Sequence, residues 1–138
     1  LAATENGARG FLVTYLSIEE SPADHPSEAV VRGLKSSPAV VSELLVKNLA
    51  MSSAMAIAHR RNEDETMAEG SDRVRSRTIQ LIQRVQLPEV TQKAQQLHET
   101  AATGQGDYKA FLDRWGYDTE QRQVIQNTIE ETILSLGS

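Results

Sequence analysis

The sequence predicts an all-α fold. It is read as a single-domain antiparallel helical bundle of six or seven helices over residues 1–138, around a long central helix pair. Three observations carry this. Apolar residues recur at spacings of three and four through most of the chain, which places side chains on one face of a helix. No pair of alternating segments offers two strands that could satisfy each other's backbone. Prolines fall in loops or at helix starts rather than inside the periodic segments.

The first segment, 8–17, reads as a helix with Phe11, Leu12, Tyr15 and Leu16 on its apolar side. Pro22 and Pro26 mark a loop, and a short helix follows to about Lys35, with Ala29, Val30, Val31 and Leu34 facing inward. Ser37 is the expected N-cap of the next helix, with Pro38 as its first residue, where the missing N–H costs nothing.

Residues 38–86 form the proposed central pair. Val41, Leu44, Asn48, Met51, Met55 and Ala58 make one stripe, and the alanines and serines around it would let neighbours approach closely. Val46 lies off that stripe, as Leu134 does on the last helix; the two could mark a second buried face, on another helix or on a second copy. A second stripe, Met67, Ser71, Val74, Thr78, Leu81 and Val85, is out of phase with the first by one position. A corner near 62–64 explains the shift. His59, Arg60 and Arg61 complement a helix end, Asn62 suits a left-handed cap, and Glu63, Asp64 and Glu65 suit a helix start. One continuous helix with a solvated middle is the rival reading.

Pro88 opens a further helix with the stripe Val90, Ala94, Leu97 and Ala101. Residues 103–106 are a break. Asp107 to Trp115 is a short helix with Tyr108, Phe111, Leu112 and Trp115 on one side. Gly116 is its expected left-handed terminator, with Tyr117 folding back onto Leu112. Asp118 and Gln121 have the spacing of a capping box. Ile125, Ile129, Ile133 and Leu136 then form the inner face of the last helix.

Composition limits the function. The net charge is −5, which disfavours a general nucleic-acid binder because phosphates need a basic footprint. Cysteine is absent, so disulfides, thiolate nucleophiles and Cys-ligated metals are excluded; the expected compartment is the cytoplasm. No run of about 18 apolar residues suggests a membrane span. The chain opens on Leu1, which is compatible with a removed N-terminal segment.

No motif for catalysis stands out. There is no nucleophile elbow and no phosphate-binding glycine loop. Ser52 and Ser53 are expected to bond the preceding turn's carbonyls. His59 with Glu63, and His98 with Glu99, lack the Glu-x-x-His spacing of metal-binding bundles, so no metal or cofactor is expected. Asn48 and His59 remain as candidate buried polar groups or ligand contacts, with a register-fixing role favoured for Asn48. Arg73, Arg77 and Arg84 fall within about 40° of each other on an ideal helix. They border the second stripe and are candidates for contact with an acidic partner or anion, against internal pairing with Glu89, Glu99, Glu130 or Glu131, which is favoured.

The runs from Leu44 to His59 and from Phe111 to Asp118 resemble uncharacterised helical proteins of cyanobacteria. That resemblance implies a bacterial cytoplasmic protein and no activity. The expected function is a non-catalytic helical protein-interaction module (an adaptor, assembly factor or regulator). Its partner would be another protein or a second copy. The alternative is a small-molecule or pigment-binding bundle, suggested by the Met-rich and small-residue central helix.

Overall fold

In a computed structural model the described residues, 28–136, are all helical apart from turns. Six helices follow one another: α1 Glu28–Lys35, α2 Pro38–Arg61, α3 Glu65–Val85, α4 Pro88–Thr103, α5 Lys109–Trp115 and α6 Thr119–Leu136. The helix expected at 8–17 lies outside the described residues. α2 packs against α1, α3, α4 and α6, and α4 packs against α6 and α5. By length and composition α2 could cross a membrane, but 61% of that window is buried inside the protein.

The corner between α2 and α3 breaks the chain into two helices. Glu63, not Asn62, takes the left-handed backbone, at φ 57°. Asn62 stays at φ −91° and donates its N–H back to the last turn of α2. Asp64 caps α3, its carboxylate accepting from the Met67 N–H at 3.2 Å. At the other end of α2, Ser37 occupies the N-cap without a side-chain hydrogen bond, so Pro38 alone sets the start.

The buried face of α2 is not the one its periodicity suggests. Leu45, Leu49, Ser53 and Ala56 are buried, whereas Asn48, Met51, Met55 and Ala58 are only half-buried. At 100° per residue the two sets are roughly a third of a turn apart. Apolar residues surround this helix, so spacing alone cannot choose a face. Val46, read as a spare apolar residue, is fully buried, and Leu134 stays 73% exposed.

Small and polar residues join α2 to α6. The Ser53 hydroxyl donates to the Leu49 carbonyl at 2.8 Å and lies 3.1 Å from the Thr128 hydroxyl. The expected capping box is present. Asp118 Oδ1 accepts from the Gln121 N–H at 2.9 Å, and Gln121 Oε1 accepts from the Asp118 N–H at 3.0 Å. Gln121 Nε2 also donates to the Ala54 carbonyl at 3.1 Å, fastening the start of α6 to the middle of α2.

α5 begins at Lys109, two residues later than its sequence suggests, and ends on Gly116 at φ 64°. Gly116→Ala meets no steric neighbour. It is expected to cost about 1 kcal/mol in a denaturant titration, from the left-handed backbone alone. Tyr117 is buried beyond that cap, edge-on to Phe111 at 6.4 Å. Its hydroxyl is buried without a hydrogen-bond partner among the described residues, and burial pushes its pKa up to about 12. Tyr117→Phe is therefore expected to match the parent in stability, or to exceed it by up to about 1 kcal/mol, in thermal or denaturant melts. A clear loss would mean that the hydroxyl finds a partner in solution.

Candidate functional site

The half-buried side of α2 is the floor of a surface trough. Asn48 and Met51 belong to both of its parts. Toward α3 the trough has a volume of about 490 Å³ and is lined further by Ser52, Met55, Thr66, Met67, Glu69, Gly70, Ser71, Arg73 and Val74. Toward α5 it has about 240 Å³ and is lined further by Leu44, Lys47, Phe111, Arg114 and Trp115. Met67, expected in the core stripe of α3, is 53% exposed here; Ala68 takes the buried position instead. Trp115 is 46% exposed.

Cations border the apolar floor. The Lys47 ammonium lies 5.4 Å from the Phe111 ring centre, and the Arg114 guanidinium 5.7 Å from that of Trp115. Such placement attracts the cation to the ring face while leaving donors free. Arg73 and Arg114 make no ion pair among the described residues. Lys47 shares Glu43 at 3.7 Å. Glu43 also accepts from Lys93 at 3.2 Å and from the Tyr108 hydroxyl at 3.1 Å. Burial, then the Glu43 charge, raises the Tyr108 pKa. One carboxylate therefore ties α2, α4 and the start of α5 together, and fixes the wall that carries Phe111 and Trp115.

Of the arginines on α3, only Arg73 reaches the trough. Arg77, expected on the border, is 1% exposed and is the largest fully buried side chain among the described residues. Arg84 is exposed at the far end of α3. The pairing expected with Glu89, Glu99 or Glu131 is not seen for Arg73 or Arg84, and Glu130 instead meets His98 Nε2 at 2.8 Å. Asn48 is half-buried on the trough floor rather than buried between helices, and its side chain makes no hydrogen bond among the described residues. His59 is half-buried near the corner, away from both parts of the trough. Among the described residues no three His, Asp or Glu side chains converge as a metal site needs. The walls contributed by α5 are not legible in the sequence because Phe111 and Trp115 read as core; Arg114, next to Trp115 in the chain, is the available signal, whereas Lys47 meets Phe111 only in the fold.

The corner carries a separate cluster of charge. Arg60 bonds Glu65 at 3.1 Å and Asp72 at 2.7 Å. Arg61 bonds Asp118 at 2.6 Å and also pairs with Glu120. The Arg61 hydrogen bond, helped by the Gln121 N–H, holds the Asp118 carboxyl below its ordinary range. Hydrogen bonds from Lys109 and Arg122 do the same for Asp113. A depressed folded-state pKa gives stability that is present above the unfolded pKa and is lost as pH falls through the folded value. The melting temperature should therefore fall on acidification from pH 5 toward pH 2, around and below the ordinary Asp pKa of about 4. Asp118→Asn should shrink that fall; an unchanged acid limb in thermal melts would remove Asp118 from its cause.

With the helices and the trough in place, the class is an all-helical protein that carries a Met- and aromatic-lined groove on its surface. The chain belongs to the family described as uncharacterised conserved protein UCP020893, whose model matches residues 1–132. No curated protein and no solved structure matches it.

Proposed function

We propose that the chain is a non-catalytic helical protein-interaction module, an antiparallel bundle built around the α2–α3 pair that presents the trough to a partner protein. The observation that carries this reading is the trough itself. Exposed Met67 and Trp115 stand over a floor of Met51 and Met55, with Lys47, Arg73 and Arg114 at its edge. Methionine adapts to the shape of what it meets. Tryptophan and arginine are the residues that anchor protein interfaces. The ionisable groups sit at the rim rather than converging on one point, which suits contact more than proton transfer. The tight corner at 62–64 supports the antiparallel pairing of α2 with α3.

A photo-crosslinking residue placed at Met67 tests the reading in the cells of the protein's own host. A discrete adduct with another protein, lost on Met51→Glu, is expected. No adduct, together with a strict monomer in size-exclusion chromatography, would remove the reading.

Small-molecule or pigment binding is the second reading. It draws on the α2–α3 part of the trough, whose 490 Å³ falls within the ~300–1,000 Å³ of ligand pockets. The α5 part, at 240 Å³, is smaller than that range. A bound mass in native mass spectrometry of protein from its own host would favour this reading.

A further inference from the structure

We propose that the occupant of the trough is an amphipathic helix of a partner protein whose flanks carry Asp or Glu. The inference rests on the protein-interaction reading and names the chemistry of the partner.

Length favours a helix. The part of α2 that lines the trough runs from buried Leu44 to Met55, about 16 Å at 1.5 Å per residue, or three turns of a helix laid along it. Apolar side chains at i, i+3 or i+4, and i+7 of such a helix would meet Met51, Met55 and the face of Trp115. Gly70 keeps the α3 wall low, since nothing lies within 4 Å of where its side chain would stand.

Charge selects the flanks. The protein as a whole carries −5, yet among the described residues three cations and one acid, Glu69, line the trough, with Lys47 also sharing Glu43. This is the reverse of the overall balance. Arg114, resting on the Trp115 ring, has its in-plane N–H donors available to a carboxylate. Arg73 stands on the opposite wall, so the two guanidinium groups can meet acids on both edges of one helix. A basic helix would meet like charge at both edges and be steered away.

Trp115 is the chain's single tryptophan, so its emission reports occupancy directly. The full chain is titrated with a synthetic amphipathic peptide of about 18 residues, long enough to overfill three turns, with leucines on one face and Glu on the flanks. A second peptide carries Lys in place of Glu, and calorimetry accompanies the fluorescence. The Glu peptide should bind with a saturating blue shift that weakens with added salt, and the Lys peptide should bind at least about tenfold more weakly. Arg73→Glu with Arg114→Glu should invert that order; Arg73→Gln with Arg114→Gln, whose helix content is checked by circular dichroism, should abolish it. Equal binding of both peptides, binding of neither, or an order indifferent to both double variants overturns the inference. The crosslink at Met67 separates this from the broader reading. An adduct with a host protein that offers no acidic helix leaves the module standing and removes the acidic helix. An adduct within the chain, to residues 1–27 or to a second copy, also overturns it.

Discussion

Arg77→Glu is expected to lower the stability of the folded chain by about 3–5 kcal/mol, while Arg73→Glu, one turn earlier on α3, changes it by less than about 1 kcal/mol. Arg77 is 1% exposed, so whatever surrounds it is arranged around a guanidinium that only donates hydrogen bonds. A carboxylate only accepts. Reversing the group leaves each of those surrounding acceptors facing another acceptor, in a place water does not reach. Arg73 is half-buried on the rim of the trough, where water can solvate either charge. A loss of about 3–5 kcal/mol would remove a large part of the ~5–15 kcal/mol that holds a domain together. Urea titrations of the two variants compare them directly, and similar midpoints would show that Arg77 is reached by solvent after all.

Gln121→Glu gives the second large effect, about 2 kcal/mol of destabilisation, although local capping rules accept Glu as readily as Gln. The capping box needs only the side-chain oxygen of residue 121, accepting from the Asp118 N–H. The remaining half of the amide donates to the Ala54 carbonyl at 3.1 Å, in a buried position. Glutamate has no proton to offer there and would set two oxygens against each other. Equal thermal melts of the variant and the parent near neutral pH would mean that the bond to Ala54 adds nothing.

These two residues show what the sequence made legible. The Asp118–Gln121 box, the Gly116 terminator and the prolines opening α2 and α4 depend on residues close in the chain, and the structure has them. The bond from Gln121 to Ala54 spans 67 residues and leaves no local trace. Arg77 looked like an edge residue because burying a guanidinium depends on neighbours that spacing cannot supply. The floor of the trough reads as core in the sequence for a related reason. Periodicity groups Asn48, Met51 and Met55 on one face, but a face is buried only if something covers it. α3 and α5 flank that strip without closing over it.

The Tyr108–Glu43 contact also bears on how the molecule moves. α5 has seven residues, fewer than an isolated helix needs to persist in water. Its order is borrowed from buried Tyr108, Leu112 and Tyr117, and from the Glu43 carboxylate on α2. A segment held this way opens as a unit, at a free energy below that of global unfolding. The amides of 109–115 should therefore exchange with solvent sooner than those of Leu45 and Leu49. Among the described helices, the tryptophan wall of the trough is thus expected to open ahead of the helices beneath it, once the Glu43 contact lets go.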